Sequence, residues 1–420
     1  MPGPAGQLLA VGGEGPDGKL ADLEIIPLVA PGTDWPGFRG PNRDGVSAES
    51  FAVTNWPKEG PPIRWRASLG RGLSSFAVRA GRVFTLGNSN ETDTVRCLDA
   101  DNGRVQWHFD YPCASTNHPM SVVPHGPAAT PTVADGRVIS LSREGDVFCL
   151  EEATGRVLWR THLVGALGGK RPVYGYAQSP LVAGGLIFLE PGGTNGGVAA
   201  LEAASGRVRW RAGTSEAGYS SARLTRFGER PALAVFQGEE LVLFDATTGA
   251  RLAAHRTTTR DFCNTITPAL AGTSAFISNT GSDGTARVDW STGQVRVLWQ
   301  KTDLGLLFNS PVLWRGGLIA FNDARRNDHQ LVCLDAMTGE PRWTTDEVEK
   351  GVFTVADDKM IVLTRQSELV VLDLAGTRPR VAARAQVLGG KSWAEPVLAG
   401  GRIFCRNNDG AAVCFDARMN

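Results

Sequence analysis

Three of the six histidines, His108, His118 and His125, fall in one stretch with Tyr111 and Cys113. Imidazole and thiolate together are the ligand set for zinc or copper. The intervals between them match no standard metal spacing, so packing of a loop over the molecule stands beside metal binding as the plainer use. The segment 161–176 adds Lys170, Arg171, Tyr174 and Tyr176, which can form a rim with the first stretch. A third concentration of chemistry is the run 322–329, with Asp323, Arg325, Arg326, Asp328 and His329. Arginine forks bind carboxylates in bidentate fashion, so this run suits contact with a partner; a solvated loop is the simpler alternative. Asp323, Arg325, Arg326, Asp328, His329, His118 and His125 together make the candidate interaction face. No nucleophile elbow, phosphate loop or metalloprotease helix motif accompanies them. No catalytic residue and no metal ligand is therefore assigned.

The seven cysteines include no CxxC pair, so neither a zinc site nor a disulfide framework is indicated. Cys405 and Cys414 fall on one hairpin, where a turn over 407–410 is expected to set Cys405 opposite Ala412. Lys plus Arg (43) equals Asp plus Glu (43), which argues against a general nucleic-acid binder. No apolar run is long enough to cross a membrane as a helix. The start lacks the basic and apolar regions of a secretory signal.

The elements that must carry these residues are set by a repeat. Cys97-Leu98-Asp99 leads to Gly103 and Trp107. The frame returns at Glu151 with Gly155 and Trp159, and at Glu202 with Gly206 and Trp210. Asp245 with Gly249 lacks the Trp, and Asp289 with Gly293 has Trp299 displaced by two. Asp335 with Gly339 and Trp343 follows; Asp373 with Gly376 is degenerate; Asp416 comes four residues before the end. A period of roughly 40–50 residues fits four short strands and their turns. Asp side chains can bond nearby backbone N–H groups, and Gly supplies a positive φ, so the acidic residues read as turn formers. Cys97, Cys149, Cys333 and Cys414 occupy one repeat position and read as buried small hydrophobes. Trp65 has no upstream turn, whereas Asp416 has no downstream Trp strand. Joining them closes the ring and leaves no open sheet edge. The expected fold is all-β: an eight-bladed β-propeller of four-stranded blades, closed by an N-terminal strand that completes the C-terminal blade. The expected division is a Pro/Gly-rich linker over 1–33 and the propeller over 34–420, with a lead-in at 34–62 and the closing strand at 63–69.

Leu-Asp-Ala-x-x-Gly-x-x-x-Trp resembles the pyrroloquinoline-quinone (PQQ) type of propeller repeat, over about residues 63–420. The resemblance implies that Trp65, Trp107, Trp159, Trp210 and Trp343 dock between neighbouring blades. The run Asp34-Trp35-Pro36-Gly37-Phe38-Arg39-Gly40-Pro41-Asn42-Arg43-Asp44-Gly45 resembles the lead-in of a bacterial subgroup of mostly exported proteins. It also implies inner strands that begin near Ser74-Ser75, Thr130, Ser179, Ser220-Ser221, Thr267, Ser310, Thr354 and Glu395, so that small hydroxyls and one carboxylate line a channel mouth. The family spans quinoprotein dehydrogenases and a non-enzymatic outer-membrane assembly scaffold, and a fold does not fix a function. Two functions follow. One is a non-enzymatic binding or scaffolding propeller, monomeric, in the periplasm or cell envelope, presenting polar loops on one face to a protein or carbohydrate partner, with no nucleic acid and no transmembrane segment. The other is a PQQ- and calcium-dependent alcohol or sugar dehydrogenase with a reduced site, drawing on Glu395, Asp261 and Asn264 or Asn309. No Cys-Cys dipeptide is present to cover such a cofactor.

Overall fold

The computed structural model describes residues 7–10, 24–27, 34–50, 56–57, 60–114, 126–194, 196–259, 263–279, 281–324 and 330–417. Four-stranded blades repeat eight times, seven of them with an acidic-to-Gly turn between the last two strands. Blade 1 runs Ala77–Arg79, Arg82–Ser89, Thr92–Asp99 and Val105–Pro112, paired antiparallel in that order. Blades 2 to 6 start at the inner strands Thr132–Ala134, Leu181–Ala183, Arg223–Phe227, Ala269–Ala271 and Val312–Trp314, and each adds three strands in sequence order. Blade 7 starts at Gly351–Ala356 and carries a fifth strand, Val46–Ser47, parallel to it. Blade 8 takes Val397–Ala399, Arg402–Arg406 and Ala411–Asp416 from the C-terminal end and Ile63–Ser68 from the N-terminal side. Cys414 faces Trp65 across that last pairing, and Arg64 forms an ion pair with Asp416. The ring is closed, and both ends of the sheet edge are removed. Gln7–Ala10 and Glu24–Pro27, within the span expected as linker, pair as a separate two-stranded sheet. No helix among the described residues is long and apolar enough to cross a membrane.

The turns form for local reasons. Asp99 Oδ1 accepts the N–H groups of Asp101 and Asn102 at 2.9 and 3.1 Å, and Asp335 repeats this with Met337 and Thr338. Gly103 has φ 71°, and a Cβ there would meet the Trp65 ring at 2.7 Å. The core lies between blades. Trp65 Nε1 donates to the Ala100 carbonyl of the next blade at 3.0 Å. Trp107, Trp159 and Trp210 donate to the Glu152, Ala203 and Ala246 carbonyls at 3.0, 2.9 and 3.1 Å. Trp343 is half-buried among Leu372 and Leu374 of blade 7. Trp299, two residues late in sequence, faces Arg287 in the register where Trp107 faces Cys97. It donates to the Ala336 carbonyl at 3.2 Å, because the longer turn of blade 5 absorbs the offset.

Blade 4 has Ala253 opposite Leu243 where all the other blades but blade 7, which has Ala383, carry the Trp. The Gly293 turn of blade 5 accordingly has nothing within 4 Å of its would-be Cβ. The contact is made in reverse: Trp290, on that turn and 1% exposed, donates back to the Arg226 carbonyl of blade 4 at 2.7 Å.

Candidate functional site at the channel and its loop face

The hydroxyls expected at the channel mouth are buried and turned to the neighbouring blades. Ser75 N–H donates to Thr130 Oγ1, Thr130 N–H to Ser179 Oγ, Ser179 N–H to Ser221 Oγ, Ser221 N–H to Thr267 Oγ1 and Thr267 N–H to Ser310 Oγ, all at 2.9–3.0 Å. Thr354 Oγ1 donates to the Pro396 carbonyl at 2.6 Å and Ser75 Oγ to that of Glu395 at 2.7 Å. Neighbouring blades thus satisfy one another's buried backbone and hydroxyl groups. These groups belong to the ring itself and are not offered to a ligand.

The lead-in fills the axis at the opposite end from the blade-to-blade connections. Trp35 exchanges two backbone hydrogen bonds with Val78 of blade 1, and Pro36 accepts from Val133 of blade 2. Arg43 donates to the Ser179 and Pro180 carbonyls at 2.8 and 2.9 Å, and Arg223 of blade 4 donates to the Arg43 carbonyl at 2.6 Å. Arg39 reaches the Pro311 carbonyl at 2.8 Å and Glu395 Oε1 at 2.7 Å. The segment ends on blades 7 and 8, where Glu49 accepts the N–H groups of Gly400 and Gly401 at 2.5 and 2.7 Å. Arg39 and Glu395 are sealed, with side chains 1% and 9% exposed. Burial raises the Glu395 carboxyl above its ordinary range, and the Arg39 charge pulls it back only in part.

The loop face is organised by buried polar anchors. Asp93 accepts from Asn88 at 2.7 Å and from the Tyr111 hydroxyl at 3.2 Å; burial raises its carboxyl. Tyr111 and Cys113 are buried there, while His108 is exposed and pairs with Asp110 at 3.2 Å. His118 and His125 lie outside the described residues, as do Arg325, Arg326, Asp328, His329 and Asp261. In the second connection Arg171 clamps Glu144 through Nε and Nη2 at 2.7 and 2.6 Å, and Lys170 pairs with Glu216 at 2.8 Å. The buried Tyr176 hydroxyl donates to the Pro191 carbonyl at 2.8 Å.

Asp323 does not stand on the surface. Its side chain is 6% exposed and paired with Lys350, and it accepts from Leu307 N–H and Asn309 Nδ2 at 3.0 and 3.1 Å. It supports the loop 307–309 at the edge of a cavity of about 290 Å³ between blades 6, 7 and 8. Phe308 lies on that edge at φ 62°, a conformation that a bulky side chain rarely adopts. It is 43% exposed and stacks on Trp393 at 4.6 Å and 22°. Arg365 and Ser392 complete the wall; the exposed Arg365 side chain pairs with no other described residue. No repeat pattern marks Phe308 or Trp393. The only sequence signal for either is an aromatic in a blade-to-blade connection.

A family model described as outer membrane protein assembly factor BamB matches residues 91–345 and 327–419. The chain belongs to this PQQ-like β-propeller family. No curated protein matches it. Among solved structures, BamB from Moraxella catarrhalis is 15% identical with a TM-score of 0.60, covering 87% of this chain and 98% of its own. Quinohemoprotein alcohol dehydrogenase from Comamonas testosteroni is 13% identical with a TM-score of 0.70, covering 93% and 82%. A europium-containing methanol dehydrogenase is 11% identical with a TM-score of 0.66, covering 90% of each chain. At these identities the likeness is one of fold.

Of the residues that the dehydrogenase resemblance would assign to calcium, the described ones, Glu395, Asn264 and Asn309, do not fit it. Glu395 Oε1 is held by a guanidinium, and Oε2 is sealed without a partner. A second cation beside Arg39 would be repelled. Asn264 Oδ1 accepts from Asn279 at 3.3 Å, and Asn309 Oδ1 from Phe321 N–H at 3.1 Å. Among the described residues no group of three or more His, Cys, Asp or Glu side chains converges to hold a metal ion.

Proposed function

We propose that this chain is a non-enzymatic binding or scaffolding propeller of the cell envelope, acting as a monomer and meeting a protein or carbohydrate partner with its loop face. The observation that carries the reading is Phe308, held exposed in a left-handed conformation and stacked on Trp393 beside the unpaired Arg365. Strained residues persist where the surroundings hold them for a purpose. An aromatic pair with an arginine is the chemistry of interface hot spots. The family description, an outer membrane protein assembly factor, favours a protein partner. The dehydrogenase alternative is disfavoured by the Arg39–Glu395 pair, which occupies the carboxylate expected on the inner strands.

A photo-crosslinking amino acid at position 308 tests this in cells. We expect one dominant crosslinked species, lost on Trp393→Ala or Arg365→Ala. Saturable PQQ binding with calcium-dependent dye reduction by an alcohol or sugar would overturn the proposal.

A further inference from the structure

The face opposite the loops carries a groove of about 830 Å³ between the lead-in and the inner strands of blades 2 to 5. That is the size of a small-molecule site, ~300–1,000 Å³. Its wall includes Val133, Leu181, Val182, Leu224 and Leu270, an apolar lining for a hydrocarbon body. Its charged residues are Arg43, Asp44, Arg223 and Arg226. Arg226 is balanced by Glu229 at 3.2 Å, and the neighbouring Arg39 by Glu395 at 2.7 Å. Among the described residues, Asp44 is the one acidic side chain lining the groove with Arg43 and Arg223, and it also faces Arg39, so the groove retains a net positive charge.

That charge is desolvated, since Arg43 and Arg223 are 7% and 9% exposed. Burial lowers the Arg43 guanidinium to about 9, with repulsion from Arg223 adding to it, and burial lowers Arg223 to about 10. A buried cation without a counter-charge is costly and calls for an anion. Arg43 uses Nη1 and Nη2 on the blade 3 carbonyls. Arg223 bonds only through Nη1, to the Arg43 and Pro268 carbonyls. Its Nε and Nη2 have no partner among the described residues, and neither is among the atoms sealed from solvent. They are the edge of a fork that pairs with a carboxylate in two parallel hydrogen bonds.

We propose that this groove binds an amphiphilic organic carboxylate, with the carboxylate on Arg223 and the apolar body along Leu181, Leu224 and Leu270. A monoanion balances the single excess charge, whereas a dianionic phosphate ester would overshoot it.

Titration calorimetry on the full chain with octanoate tests the assignment, with 1-octanol as the neutral match and octyl phosphate as the dianion. We expect saturable binding at one site, about tenfold or more weaker for octanol and for Arg223→Gln, a factor equivalent to about 1.4 kcal/mol. Leu270→Trp, which fills the groove and leaves the guanidinium in place, should also abolish binding and serves if Arg223→Gln does not fold. Octanoate binding no tighter than octanol, or unchanged in Leu270→Trp, overturns the proposal, as does tighter binding of octyl phosphate. Crosslinking at position 308 is unaffected by any of these outcomes, so this site and the loop-face function fail or stand separately.

Discussion

Trp65→Ala should weaken the whole molecule, because one side chain joins the two ends of the ring. Trp65 is 6% exposed, covers Gly103 and donates to the Ala100 carbonyl. A buried Trp removes ~150–250 Å² from water, which at ~25 cal/mol per Å² is about 4–6 kcal/mol. The lost hydrogen bond leaves a buried carbonyl short of one donor, about 1 kcal/mol. Partial collapse of the gap returns some of this, and measured truncations of large aromatics cost ~3–5 kcal/mol. We take about 4 kcal/mol. Unfolding entropy of ~2.1 cal/mol/K per residue, over a propeller of roughly 390 residues, converts this to a Tm loss of about 5 °C if the ring melts as one unit. Differential scanning calorimetry reads the shift. Val105→Thr is the control, since Val105 is 52% exposed on an outer strand and should move Tm little. A Trp65→Ala shift no larger than the control would show that closure by Ile63–Ser68 does not support the ring.

Glu190, one residue past the strand Leu186–Leu189, is buried where other blades carry Leu86, Leu141 or Phe321, and among the described residues its carboxylate has no side-chain partner, only the Gly218 N–H set against it. Burial holds its carboxyl well above the usual range, so the folded chain keeps a proton that the unfolded chain releases near pH ~4.3. Stability from this group is full below that pH and is lost as pH rises through the folded value; Glu190→Gln should therefore match the parent in Tm at low pH and exceed it at pH about 8, and a constant difference across pH would refute the assignment. Glu395→Gln strands the Arg39 charge and should cost about 3–5 kcal/mol, read by urea unfolding, while the double replacement Arg39→Met with Glu395→Leu should recover most of it. All seven cysteines lie outside disulfides, and only Cys263 is not buried. Burial pushes the Cys97 thiol up to about 12 and that of Cys149 to about 11, so a thiol reagent should modify at most one site in the folded protein and seven after denaturation.

The eight-blade ring was legible in the sequence because its cause is local. An acidic residue that caps its own turn, a Gly at positive φ and a Trp a few residues later are short-range requirements that return about every 40–50 residues. Closure was legible for the same reason: Trp65 and Asp416 are the two halves of one such unit, and they meet as Cys414 opposite Trp65. The cysteine hairpin was read one residue out, since Cys405 faces Val413 and Ala412 faces Arg406. The direction of each polar side chain on the axis was not legible. Ser179 and Thr267 read as channel hydroxyls from the resemblance, yet the approach of the preceding blade turns them into acceptors for its backbone. Arg39 and Glu395 are 356 residues apart, and nothing in either neighbourhood marks the other as its partner. The same holds for Trp290, which fills a vacancy left by Ala253 on another blade, and for Phe308 on Trp393. A repeat specifies which units form and how they stack, because each unit's strands and turns are satisfied within itself or by its neighbour. What occupies the axis and the loop face is decided only when the ring has closed and brought residues from distant blades to within bonding distance.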